Sequence, residues 1–271
     1  MEKNTLSMPI AIVIAGIIIA GAVYFSNVNR PAGPTGTNTA TPTGLAEVAL
    51  EIKSVSASDY IVGNPDAPLV IVEYSDTECP FCKNFHNSLN KLMSDLGSSG
   101  KVAWVYRHFP LWKSESGRPA LHPAAEKEAQ AFECAGFLGG NTKFWEYANR
   151  LYSITPSNNQ LDPKELPKIA VYVGLKEADF NTCLESGRFS PKIEEQYQEA
   201  KNAGSSGTPF SIIVSREPLD RKKVEKTLKE LTLKYRSGLE NFAMSPDNRR
   251  IGMNGAQPYE LVKALIEALQ P

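Results

Sequence analysis

"ECPFCKNFH", Glu78 to His86, sets two of the chain's four cysteines close together, with Pro80 and Phe81 between them. Such a pair can hold zinc, form an inert disulfide, or cycle between dithiol and disulfide. Just upstream, "PLVIVEYS", Pro68 to Ser75, is an apolar run broken by a single carboxylate, Glu73. It reads as a central strand covered on both faces. Downstream, Phe81, Phe85, Leu89, Leu92 and Leu96 are spaced four, four, three and four, the apolar face of a helix. Cys79 therefore stands where a strand gives way to a helix, with Cys82 one turn inside. "KVAWVY", Lys101 to Tyr106, is the next strand, and strand–helix–strand suggests a βαβ unit.

That placement has chemical consequences. A thiol reacts as thiolate, and the unpaired N–H groups and positive dipole end of a helix N-terminus stabilise that anion. Cys79 is expected to be the exposed nucleophile and Cys82, on the face of Phe85 and Leu89, a shielded resolving thiol. Pro80 suits the first helical turn, where its missing N–H costs nothing. Glu73, inside "LVIVEY", reads as a buried, functional carboxyl; a solvent-facing strand end is the alternative. Zinc is the main rival for the pair, with His86 and either His108 or His122 completing four ligands. Structural zinc sites usually present two close pairs, however, and no second CxxC or HxxxH is present. A purely structural disulfide across two residues would close almost no loop. His108 and His122 are read as surface or capping residues.

The rest of the 271-residue chain organises around this unit. Pro119 to Gly204 is helical throughout, in segments near 124–138, 143–152, 163–173, 177–186 and 191–203 separated by Gly, Pro and Asn. "PFSIIV", Pro209 to Val214, returns to strand. Arg216 to Phe242 reads as a charged amphipathic helical insert, a solvated face before a docking surface. "RIGMNG" offers a short strand, and Leu261, Val262, Leu265, Ile266 and Leu269 form a last helical face. The expected class is α/β: a βαβ half, an all-helical insertion over about 115–204, then a ββα half interrupted by a charged insert over about 216–249. A net charge of −1 gives no global signal for nucleic acid, and no cofactor is expected.

The N-terminus reads differently. "MPIAIVIAGIIIAGAVYF", Met8 to Phe25, is 18 residues without a charge, enough for a transmembrane helix that just spans a bilayer core. Residues 1–28 are expected to be an uncleaved anchor, with signal-peptide cleavage after Ala22 as the alternative. Residues 29–55, rich in Pro, Gly and Thr, read as a flexible tether, with folding to begin between Leu45 and Asp59 and to fill 56–271. Either reading of the helix puts the rest of the chain outside the cytoplasm, where disulfides persist.

"GNPDAPLVIVEYSDTECPFCKNFH", then "YRHFPL", "HPAA", "CAGFLGGNTKFWEYANRLY" and "GTPFSIIV", resemble the DsbA-like thiol–disulfide oxidoreductases of the thioredoxin superfamily. The resemblance runs from about Asp59 to the C-terminus, interrupted by the charged insert. It implies a thioredoxin fold in which Cys79 attacks, Cys82 resolves and Glu73 assists proton transfer at the second sulfur. It implies further that Pro209 is a cis-proline facing the disulfide and that Thr208 contacts substrate, with Pro80 and Phe81 also on the substrate side. Members typically oxidise unfolded or reduced exported proteins and are reoxidised by a quinone-linked membrane partner of the DsbB or vitamin K epoxide reductase type. Two departures stand out. The best-known oxidases carry His where Phe81 stands, and Phe cannot donate a hydrogen bond to a thiolate, so Cys79 should be less acidified here. Thr208 replaces the Val of those oxidases and occurs in several reductases and isomerases. The export route, and a similar brace in some family members, point to a Cys134–Cys183 disulfide, with two buried thiols as the alternative.

An extracytoplasmic dithiol oxidase is thus the first reading. A reductase or isomerase kept reduced by a membrane partner is the second, and a non-catalytic binding module the third.

Overall fold

A computed structural model describes residues 44–114 and 117–270. The expected membrane helix and most of the tether lie outside the described residues. Among those residues no helix is long and apolar enough to cross a membrane. Along the chain come β1 (Ala46–Glu47), β2 (Tyr60–Gly63), β3 (Leu69–Ser75), α1 (Pro80–Leu96), β4 (Val102–His108), α2 (Ala125–Ile154), α3 (Glu165–Tyr172), α4 (Glu177–Glu185), α5 (Ser190–Asn202), β5 (Phe210–Ser215), α6 (Arg221–Tyr235), β6 (Phe242–Met244), β7 (Arg250–Asn254) and α7 (Tyr259–Leu269).

The strands form one mixed sheet in the order β1-β6-β7-β5-β3-β4-β2. The unbroken apolar character of β3 has the cause expected of it: the strand is interior, with β4 parallel on one side and β5 antiparallel on the other, and all seven of its residues are buried. Side chains alternate between faces along a strand. Leu69 and Ile71 therefore join the core under α1, with Phe85, Leu89 and Trp104, while Val70, Val72 and Tyr74 join the opposite core with Ile212 and Tyr197. The same alternation aims Glu73 and Ser75 at the α1 side.

The helical insertion comprises α2 to α5. Gly140, at φ 73°, kinks α2 between the two helical segments read from the sequence. The S–S bond between Cys134 and Cys183 measures 2.06 Å and ties α2 to α4.

Three boundaries differ from the sequence reading. Residues 44–55 are not tether: β1 pairs with β6, and Leu45 and Leu50 are buried. Composition hid this, because two strand residues and two anchoring leucines carry no period. The helical insertion starts at Ala125 rather than near 115, and the connection before it is partly buried, delivering His122 inward. The charged insert is only partly helical. Its helix, α6, is capped by Asp220, whose side chain accepts from the Lys222 and Lys223 N–H groups, and it ends at Tyr235. The chain then supplies β6, a strand too short to show alternation, which extends the sheet beside β7.

Candidate active site

Helix α1 begins at Pro80, with Cys79 at the N-cap in extended conformation (φ −80°, ψ 120°). The Cys79 thiol donates to the Thr208 carbonyl at 3.5 Å, and the Thr208–Pro209 peptide is cis. β5 starts immediately afterwards, so the end of one strand and the start of another meet over the sulfur. Phe81 points outward, 63% exposed.

Cys79 is not the exposed thiol that the sequence suggested. It is 5% exposed and Cys82 0%, because the segment before β5 covers the helix start. The two sulfurs are nevertheless unlike. Hydrogen bonding from Cys82 chiefly pulls the Cys79 thiol down to about 6, with the Thr208 side chain and the Cys82 and Phe81 N–H groups adding to it against burial. The acidification thus comes without a histidine between the cysteines. Cys82 is pushed well up, first by burial and then by Cys79 itself.

Glu73, two residues before the end of β3, has no exposed surface. Its Oε1 accepts from Ser75 Oγ at 2.8 Å and its Oε2 from Trp104 Nε1 at 3.0 Å. Burial lifts its carboxyl to about 8 even against those two hydrogen bonds.

Sequence reasoning missed a second carboxylate. Asp76 Oδ1 accepts the Glu78 N–H at 2.8 Å, while Oδ2 accepts the Leu111 N–H at 2.7 Å and lies 2.9 Å from His122 Nδ1. The Asp76 N–H in turn donates to Cys82 Sγ at 3.4 Å. His122 was read as a surface residue and is buried instead. Burial would lower its affinity for a proton, but Asp76, then the Cys79 and Glu78 charges, raise it. An imidazolium near the Cys79 thiolate therefore arrives from the connection before α2. His108 is also buried, not exposed: its Nε2 lies 3.2 Å from Glu133 Oε1, and burial holds its proton affinity down. The signal for Asp76 was its place three residues before Cys79; nothing local in "ALHPAA" announced His122.

The histidines considered for zinc point elsewhere, His86 Nε2 to Asn149 Oδ1 at 2.8 Å. Among the described residues no group of three or more His, Cys, Asp or Glu side chains is arranged to hold a metal ion.

A family model described as Thioredoxin matches residues 56–232. The chain belongs to the thioredoxin family. Solved structures with this thioredoxin-like fold and a helical insertion include Wolbachia pipientis alpha-DsbA1, 19% identical with a TM-score of 0.58 over 82% of this chain and 95% of that one. Pseudomonas aeruginosa DsbA2 is 23% identical, with a TM-score of 0.55 over 79% of this chain and 96% of that one. These likenesses show the fold. Among curated proteins, the Na(+)/H(+) antiporter NhaA 1 of Mycolicibacterium vanbaalenii is 30% identical over 57% of this chain, which spans only 23% of that relative's length.

Proposed function

We propose that this thioredoxin-family chain is an extracytoplasmic thiol–disulfide oxidoreductase that forms disulfides in exported proteins through Cys79 and Cys82. The observation that carries the reading is the asymmetry of the pair: one thiol drawn down to about 6 at a helix N-terminus, the other fully buried and pushed up. Such a pair makes Cys79 the readier leaving group when a second client thiol resolves the mixed disulfide, because the sulfur with the lower proton affinity leaves faster.

In the oxidising direction a client thiolate attacks Cys79 Sγ of the Cys79–Cys82 disulfide. The electron pair of that bond passes to Cys82 Sγ, which takes up a proton. A second client thiolate then attacks the client sulfur of the mixed disulfide, the client disulfide forms, and Cys79 leaves as thiolate. Thr208, with its carbonyl at Cys79 and its backbone at a strand start, and Pro209 face the incoming chain. An extended client can pair there as an added strand, a mode that reads main chain more than side chains. Phe81 and Pro80 border the same opening. Reoxidation falls to a quinone-linked membrane partner of the DsbB or vitamin K epoxide reductase type, and the N-terminal apolar segment keeps the domain at the outer face of the cytoplasmic membrane.

Thiol trapping in intact cells tests the direction. An oxidase is recovered with Cys79 and Cys82 mainly joined; recovery mainly as dithiol shifts the reading to a reductase or isomerase.

A further inference from the structure

The proton that Cys82 needs must reach a sulfur with no surface exposed to solvent. Cys82 and Glu73 are 0% exposed and Ser75 1%. Glu73, the buried carboxyl nearest in role, has both oxygens engaged, one by the Trp104 indole and the other by the Ser75 hydroxyl. Ser75 stands two residues after Glu73 on the same face of β3, and its hydroxyl acts on Cys82 to lower that thiol's proton affinity against burial. The neighbouring Asp76 N–H donates to that sulfur at 3.4 Å, so the end of β3 runs directly along it. A serine hydroxyl has one proton and two lone pairs. It can donate to the Glu73 carboxylate while accepting the Cys82 S–H, or donate to the Cys82 thiolate while accepting from the Glu73 carboxylic acid.

We propose that Ser75 is the hydroxyl relay that carries the proton between Glu73 and Cys82 during disulfide exchange. This rests on the exchange reaction proposed above. When the Cys79–Cys82 bond breaks with its electron pair on Cys82 Sγ, the Ser75 proton moves to that sulfur and the Glu73 proton moves to Ser75 Oγ. Glu73 is left as carboxylate; the reverse shift deprotonates Cys82 when it attacks Cys79 Sγ and expels the client thiolate. Facing the relay from the other elements are the Tyr152 hydroxyl, 3.2 Å from Ser75 Oγ, and the Tyr106 hydroxyl, 3.0 Å from that of Tyr152. Burial pushes both phenols well above their ordinary range, so they stay neutral and polarise the chain without consuming its proton. The remaining charged groups are Asp76 and Cys79, both of which oppose a Cys82 thiolate.

The test compares wild type, Ser75→Ala, Ser75→Gly and Ser75→Thr in two measurements. The first is stopped-flow exchange between the oxidised protein and a dithiol peptide across pH 5–9. The second is ultraviolet titration of the Cys82 thiol in a Cys79→Ser background. Loss of the hydroxyl in the Ala or Gly variant is expected to slow exchange at neutral pH about tenfold, a modest share of a general acid–base contribution. It should also raise the Cys82 titration while the Cys79 alkylation profile stays in place. Ser75→Thr, which keeps the hydroxyl, restores the rate to within about threefold. If the hydroxyl-free variants exchange at the wild-type rate with the Cys82 titration unmoved, the relay is wrong. A purely structural role for Ser75 would lower thermal stability without moving the Cys82 titration, and that result also overturns the proposal. Failure of the underlying function looks different: wild type itself would not exchange with the peptide.

Discussion

Replacing Glu73 by Gln should stabilise the dithiol form of the protein, and only above the pH at which an ordinary carboxyl ionises. In the folded chain burial lifts Glu73 to about 8, against an ordinary 4.5. Between those values the unfolded chain has lost a proton that the folded chain keeps, so stability falls as pH rises through that window and is level outside it. At pH 7.5 the separation from 4.5 spans about three units, roughly 4 kcal/mol at about 1.4 kcal/mol per unit. Glutamine is neutral throughout and escapes this cost. Its carbonyl can still accept from Trp104 and its amide can donate to Ser75, the two partners Glu73 has now. One amide hydrogen is left without a partner, a penalty of roughly 1–3 kcal/mol. The expected net gain is about 2 kcal/mol at pH 7.5, turning into a loss of about 2 kcal/mol near pH 4.5. Urea unfolding of wild type and Glu73→Gln at both values measures the difference, and contributions common to the two proteins cancel. A difference that does not change with pH, or a destabilised variant at pH 7.5, would refute the claim that Glu73 is a high-affinity proton store.

Three further outcomes follow from the same geometry. In the reduced protein Cys79 should alkylate along a titration curve centred near 6, with Cys82 unreactive until far higher pH, as mass spectrometry of iodoacetamide adducts will show. Because the Cys79 value is depressed from 9.0 to about 6, its stabilisation of the reduced fold is full only above pH 9, shrinks as pH falls between those values, and is gone below about 6. His122→Gln removes the cation that the Asp76 bond sustains and should move the Cys79 curve upward by up to about one unit, read from the same adducts. Cys134→Ala/Cys183→Ala opens a link with a sequence separation of 49 and should cost about 4 kcal/mol in urea unfolding, the loop-closure entropy of that length.

What could be read from the sequence was whatever a local pattern expresses. The apolar run of β3, the helical spacing after Cys79 and the strand–helix–strand order placed the cysteine pair at a helix start. Gly140 marked the kink in α2 as a break between two helical segments. What escaped is set by tertiary contact. Cys79 is covered by Thr208, from the turn that leads into β5, which no spacing near Glu78–His86 encodes. His122 and His108 became buried because Asp76 and Glu133 wait for them inside the fold, and a histidine's partner is invisible in one dimension. Strands β1 and β6 were missed because two or three residues show no alternation, and their pairing is decided across the sheet. Ser75 was in plain view beside Glu73. Its role depends on which face of β3 meets α1, and that became visible only with the sheet assembled.

The central claim is that Cys79 and Cys82 exchange electrons with client thiols. Its most direct measurement mixes the oxidised protein with an excess of unfolded, fully reduced client, quenches with acid, alkylates and counts free thiols on both partners by mass. The account predicts one client disulfide gained for each Cys79–Cys82 disulfide lost, and no client oxidation by Cys79→Ser. A client that stays reduced while the Cys79–Cys82 bond persists, or oxidation that survives Cys79→Ser, would contradict it.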